Sequence, residues 1–392
     1  MCEKNVLSDA MCGDGTIIQP PGVRVGRSVR LKADLSTVMR NRRQFMQEIA
    51  LAPAVVGALR LGEVSSAAAQ ASSSPAARPN PNFPEVPTWN TELRELAPNV
   101  YAYIQAGGPG RDNVSVSNAG LIVGDSGLMV IDALAAPMHT RAFVAAMRKV
   151  SDKPFRHLLN THHHSDHVNG NQYITGEEIV GHPYCRDEVV KMIPGPPKWP
   201  KRDGWSDGSD DRVILPPTTT FDGKMTYYYA KNVVKVLPMA PAHTWGDLVV
   251  YLPQHKILFA GDVAFFYVAP FCQNAHPSKW IEWCLTVEKM DVDVIVPGHG
   301  PIGGKRELAE MRGYLELLKV EARKRYDAKM TAGKGAADIR MGKYENWIGP
   351  ERIIMDTVRF YAEFAGTLAP PVDTEGIRLA TEVYNAVRSV RL

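Results

Sequence analysis

Within seven residues, Thr161-His162-His163-His164-Ser165-Asp166-His167, the chain places four imidazoles and one carboxylate. Neutral imidazole and carboxylate together suit zinc and other borderline divalent metals, and no thiolate stands nearby to favour a softer ion. Spacing adds to composition. In a loop leaving a strand, His162 and His164 alternate to one side while Asp166 and His167 fall on the other, which is enough to begin two metal sites. A solvated histidine loop would explain one or two such residues but not this pattern. Three more donors follow: His243 in Pro241-Ala242-His243-Thr244, Asp262 in Phe259-Ala260-Gly261-Asp262, and His299 in Val296-Pro297-Gly298-His299. Each follows or adjoins an apolar run, as ligands on loops at strand ends should.

The motif His-x-His-x-Asp-His, with those donors after it in that order, resembles the metallo-β-lactamase superfamily over about residues 96 to 305. The resemblance implies that His162, His164 and His243 hold one metal, that Asp166, His167 and His299 hold a second, and that Asp262 bridges them. It also implies two Zn2+ as cofactors, a small-molecule substrate and hydrolysis, with Asp166 as the catalytic residue that orients the attacking hydroxide and carries its proton. Asp132, at the end of an apolar run, is either a support for the metal loop or a turn aspartate. The fold class implied is α/β, a four-layer αββα sandwich with a C-terminal helical extension.

Several lactam-cleaving members of the superfamily carry Cys or Ser where Asp262 stands. An aspartate there resembles the thioester hydrolases, lactonases and phosphodiesterases. The expected target is therefore a carbonyl centre, in an ester, thioester, lactone or amide including a β-lactam, with phosphodiester hydrolysis as an alternative. The persulfide dioxygenases keep much of this pattern around one iron and supply a second alternative. A glutamate would replace His164 in the flavodiiron members, and a non-catalytic binding module would have lost a ligand. Neither departure occurs. His163, His182 and His255 are read as structural, and His276 is kept as a possible substrate contact together with Phe266 and Tyr267.

The elements that must position these donors are legible as apolar runs. Strands are expected at residues 100–103, 119–123, 128–131 and 155–159, the last delivering the metal loop. A second set follows at 225–229, 233–237, 248–252, 256–259 and 292–296. Helical spacing marks 138–150, 185–193, 278–290, 306–329, 352–364 and 376–390. Residues 194–217 break the pattern, with six prolines, three glycines, and Trp199 and Trp205 without any period. A loop of that length inside a domain is often a functional lid, so both tryptophans are candidate substrate contacts.

With 45 basic and 42 acidic residues the net charge is +3, which gives no reason to expect nucleic acid as a partner. Five cysteines lack any Cys-x-x-Cys spacing, and a buried free thiol is the expected state for at least one of Cys185, Cys272 and Cys284. Residues 1–38 are expected to be a disordered leader, or to precede the true start at Met39. Residues 39–69 run basic, apolar and small: paired Arg42-Arg43 with Phe45 resembles a twin-arginine export signal, and Ala67-Ala68-Ala69 offers a cleavage site. That organisation implies a periplasmic or secreted protein without a permanent membrane span, since an apolar stretch of about 11 residues falls short of the ~20 needed. Residues 70–90 read as a linker, 91–305 as the catalytic domain and 306–392 as a helical extension. The oligomeric state is unknown.

Overall fold

The computed structural model describes residues 79–109 and 116–390, all within one compact unit; the expected leader, the signal and most of the linker lie outside the described residues. Chain order opens with β1 (Glu92–Ala97), β2 (Val100–Ile104), β3 (Ala119–Val123), β4 (Leu128–Ile131), helix α1 (Pro137–Val150) and β5 (Phe155–Leu159). A short helix α2 (Ser165–Val168), β6 (Glu178–Gly181), α3 (Pro183–Lys191) and β7 (Thr219–Thr220) complete the first half. The second half holds β8 (Met225–Tyr229), β9 (Asn232–Pro238), β10 (Leu248–Leu252), β11 (Ile257–Phe265), α4 (Pro277–Lys289) and β12 (Val294–His299). Four helices follow, α5 (Lys305–Asp327), α6 (Ala332–Asp338), α7 (Ile353–Phe364) and α8 (Thr374–Val390).

Strands β1 to β7 form one sheet in sequence order, and β12-β11-β10-β9-β8 form the other. Each half starts antiparallel and turns parallel, at β4–β5 in the first sheet and at β11–β12 in the second. Alternation along the strands divides the core into layers. Ile122, Met129 and Ile131 face inward against Val234, Val250 and Phe259 of the opposite sheet. Their neighbours Leu121, Leu128 and Val130 face outward and are covered by Phe143 and Met147 of α1. On the far side, Val249 and Leu258 meet Trp280 of α4, Leu308 and Leu315 of α5, and Phe360 of α7. The result is the αββα sandwich. Trp280 is fully buried with its indole N–H donating to the Val263 carbonyl at 2.9 Å, so Trp280→Ala should cost about 3–5 kcal/mol.

The observed elements differ from expectation where periodicity is weak. Strand β1 is amphipathic and half exposed, with Glu92, Arg94 and Glu95 in six residues, so its apolar signal is thin. Strand β11 runs on through Asp262 to Phe265, and β12 runs through His299, so these two candidate ligands sit within parallel strands and not on loops beyond them. Helix α6, Ala332–Asp338, carries two glycines and no long apolar residue, which hides it from a period-based reading. Residues 194–217 hold only isolated bridges, Lys198 to Asp211 and Arg202 to Ser206. The extension does not stand apart: α5 and α7 share one hydrophobic core with β11 and α4. Cys185, Cys272 and Cys284 are all free and buried.

Candidate metal centre

The donor side chains meet where β5, β11 and β12 end. Strand β5 is parallel to β4, and the turn after it is fixed by Asp132, whose Oδ1 accepts the Thr161 amide at 2.8 Å and whose Oδ2 accepts the Thr161 hydroxyl at 2.7 Å. Helix α2 then begins at Ser165 and carries Asp166 and His167 into a second group, with the His167 ring 4.3 Å from that of His162. His243 arrives on the turn after β9, held by Asp247, which accepts the Thr244 amide and hydroxyl, each at 2.7 Å. His299 is anchored across the sandwich: Asn118 donates to the Pro297 and Gly300 carbonyls at 2.9 and 2.8 Å. Gly298 is required between them, because a Cβ there would overlap the Asp262 carboxylate.

Two donor sets result. His162, His164, His243 and Asp262 could hold one ion, and Asp166, His167 and His299 another, with ligand atoms in each set within 4.8 Å of one another. Asp262 lies between them. Its Oδ2 stands 3.1 Å from His243 Nε2, 3.6 Å from His162 Nε2 and 3.4 Å from His299 Nε2, and its Oδ1 is 3.0 Å from His167 Nε2. Asp166 Oδ2 is 3.1 Å from His299 Nε2. The seven expected ligands are thus brought together in the expected two groups, while Asp132 proves to be the support and not merely a turn.

Orientation of the imidazoles shows that the centre fits divalent ions. His162 Nδ1 pairs with the Thr161 hydroxyl at 3.1 Å, and His167 Nδ1 pairs with Asp132 at 2.8 Å. His299 Nδ1 reaches the Val116 carbonyl at 2.9 Å, and His164 Nε2 reaches the Asn274 side chain at 2.9 Å. Each contact occupies the nitrogen remote from the centre, so the lone pair of the other nitrogen points inward. His162 Nε2, His167 Nε2 and Asp262 Oδ1 are buried there without hydrogen-bond partners, a costly arrangement unless a cation completes it.

Electrostatics agree. Burial, reinforced by the adjacent His243, pushes His164 down to about 4, so it is a neutral donor at neutral pH. Burial alone would raise Asp166, but His167 and His299 hold it at about 2. Burial would likewise raise Asp262, yet His299, His167, His243 and His162 keep it well below the usual carboxylate range. Both carboxylates are therefore anions, and the same contacts raise His167 and His299, so an ion entering the second set would have to displace protons from those imidazoles. Asp166 keeps 17% of its side chain exposed, against 4% or less for Asp262 and His299, and so marks the open side of the centre.

The remaining expected residues fall elsewhere. Trp199 is buried beside Arg212, and Trp205 packs under Arg202 and against His139 at the start of α1. Among the described residues, no ring contact joins either indole to a ligand histidine. Tyr267 has a left-handed backbone, φ 61°, and lines a 250 Å³ cavity with Phe266 and Trp347. His276 is the residue before helix α4, with its ring 5.9 Å from Trp245, and it is Asn274, two places earlier, that touches a ligand. His182 caps α3, as a structural histidine would, and His163 is buried against Tyr184 with no hydrogen-bond partner at Nδ1. Asn274 and Arg352 had no sequence signal. Arg352 lies over Phe265 and Phe271, near enough to Asp262 and Asp166 to interact with both charges.

Residues 112–299 match the Metallo-beta-lactamase superfamily profile. This stretch is a metallo-beta-lactamase superfamily domain. The whole chain is 27% identical over 228 residues to a linear primary-alkylsulfatase from Pseudomonas sp., a match covering 49% of this chain and 43% of that relative. It is 24% identical over 239 residues to a metallo-beta-lactamase type 2 from Bacillus sp., covering 59% of this chain and 84% of that one. In structure it is similar to the stereoselective inverting sec-alkylsulfatase Pisa1 from Pseudomonas sp., with a TM-score of 0.54 and 17% identity over 70% of this chain and 50% of that chain. The chain therefore spans half or less of the alkylsulfatases it resembles. No helix among the described residues is long and apolar enough to cross a membrane.

Proposed function

We propose that the protein is a dinuclear zinc hydrolase. The observation that carries this reading is the position of Asp262, whose two oxygens face His162 and His243 on one side and His167 on the other. Ions bound in the two donor sets would act as Lewis acids and lower the pKa of a bound water to the neutral range. The protein's own contribution is placement. Asp166, anionic and facing the open side, is set to hold the proton of an attacking water and deliver it toward a leaving group. Asp132, Thr161 and Val116 keep three imidazoles from rotating, so the site pays no reorganisation cost when charge develops.

The expected target is an ester, thioester, lactone or cyclic amide. A sulfate ester is a second reading, supported by the similarity to the linear primary-alkylsulfatase and by the buried Arg352, whose charge interacts with those of Asp262 and Asp166. Positive charge there suits an ester whose acid part is anionic. Metal analysis of the purified protein should find close to two zinc ions per chain. One iron, with oxygen uptake in the presence of a thiol persulfide, would overturn the hydrolase reading in favour of a dioxygenase. A panel of lactone, β-lactam, acyl-thioester, phosphodiester and alkyl sulfate substrates then separates the substrate classes.

A further inference from the structure

Loop 269–276 links β11 to α4 and touches both metal-binding turns. On one side the His276 amide donates to the Ala242 carbonyl at 2.9 Å, next to His243. On the other, Asn274, which is 5% exposed, sets its Oδ1 2.9 Å from His164 Nε2. An amide oxygen only accepts, so this contact requires His164 to carry its proton on Nε2. Nδ1 is then bare, and it is Nδ1 that lies 2.8 Å from His243 Nε2, inside the first donor set. The other tautomer would turn an N–H toward the ion and remove one donor.

Residues 348–359 of the C-terminal extension hold that loop. The Ala269 amide donates to the Ile348 carbonyl at 2.9 Å, and Arg352 donates to the Ala269 carbonyl at 2.7 Å. Asp356, fully buried on α7, accepts the Cys272 amide at 2.9 Å. Arg359 closes on the Ala275 carbonyl with Nε at 3.0 Å and a terminal nitrogen at 2.6 Å. Asn274 lies between two of these clamped positions, so its oxygen has little freedom to leave His164.

We infer that Asn274 is a positioning residue that selects the metal-binding tautomer of His164, and that the C-terminal extension, through Asp356 and Arg359 on α7, holds Asn274 in that role. This rests on the metal-centre reading above. It makes the extension part of the first metal site although it supplies no ligand. Outer partners of ligating histidines commonly change metal affinity about 10–100-fold, which sets the scale of the effect.

The test is zinc affinity, measured on chelator-stripped full-length protein by competition with a chromophoric chelator, alongside the histidine tautomers read by nitrogen NMR of the zinc-free protein. Asn274→Ala should weaken one of two zinc sites about 10–100-fold and leave the other nearly unchanged, with loss of the Nε2–H form of His164. Asn274→Asp, which keeps an acceptor in the same place, should restore the affinity. Asp356→Ala should weaken the same site as Asn274→Ala. Wild-type protein that binds two zinc ions while Asn274→Ala binds both equally well would overturn this inference alone. Wild-type protein that takes up no metal would overturn the metal-centre reading, and this inference with it.

Discussion

His167 and Asp132 are joined Nδ1 to Oδ2 at 2.8 Å, both buried, and the same carboxylate takes the Thr161 hydroxyl that in turn pairs with His162. One aspartate thus orients a ligand of each donor set. Asp132→Ala should therefore lower affinity for both ions, by about 10–100-fold each, whereas Thr161→Val should affect only the set that contains His162. Stepwise zinc titration distinguishes the two patterns; a single weakened site in Asp132→Ala would contradict the shared support.

Asp262→Ala removes the one carboxylate that reaches both sets, so neither ion should survive gel filtration. Retention of one ion at full occupancy would show that Asp262 belongs to one set only. Fold stability in the absence of metal, followed by circular dichroism, should fall at neutral pH, since the surrounding histidines hold Asp262 well below the usual carboxylate range and its anion contributes stability there.

Asp356 gives a pH signature. Burial pushes its carboxyl up to about 7 from an ordinary value of 3.8, against the lowering effect of the Cys272 amide and Tyr314. The folded state therefore binds a proton that the unfolded state has released between those values. Stability contributed by this protonated form is present below about pH 4 and falls as pH rises to about 7, by at most on the order of 4 kcal/mol. Asp356→Asn should flatten the dependence of denaturant midpoint on pH in that window, and an unchanged slope would assign it to another group.

The loop 194–217 braces the segment after the metal motif, for Leu215 accepts from Asn171 at 2.8 Å and Asp211 accepts from Gln172 at 3.1 Å. Trp205 pins it to α1, where the Met138 amide donates to the Trp205 carbonyl at 3.1 Å. Trp205→Ala should cost about 1–2 kcal/mol, and Trp199→Ala and Trp205→Ala should leave KM nearly unchanged, since both indoles pack against the body away from the donor histidines. KM raised more than kcat is lowered in both would instead bring the loop into the substrate site.

Replacement of Arg42 and Arg43 by Lys tests the proposed export signal, because twin-arginine recognition depends on guanidinium and not on charge alone. The variant should remain in the cytoplasm; unaltered export would refute the signal.

Much of the centre was legible because its chemistry is local. Four candidate ligands fall within six residues, and the other three follow short glycine- or alanine-containing stretches, in a turn for His243 and within β11 and β12 for Asp262 and His299. The layers were legible too, since strands such as Leu128–Ile131 are continuous apolar runs. What escaped depends on distant approach. Asn274 gains its meaning only from a contact across 110 positions, and an asparagine before a helix has an adequate local explanation without it. Arg352 is similar, a cation whose sequence neighbours Glu351 and Ile353 give no hint that Phe265 and Phe271 lie beneath it. Among the histidines of the 273–276 stretch's surroundings, His276 drew attention by type, yet Pro277 at the start of α4 commits its backbone to capping geometry outside the centre.

The three described thiols carry a consequence for where such a chain can be made. Burial raises Cys185, Cys272 and Cys284 alike above the ordinary thiol range, so each stays protonated at neutral pH and is a poor nucleophile toward disulfides. Folding of residues 79–390 thus waits for no oxidant and is undone by no reductant. The same finished structure can persist at either redox potential, and moving it from one compartment to another requires no covalent adjustment of its interior.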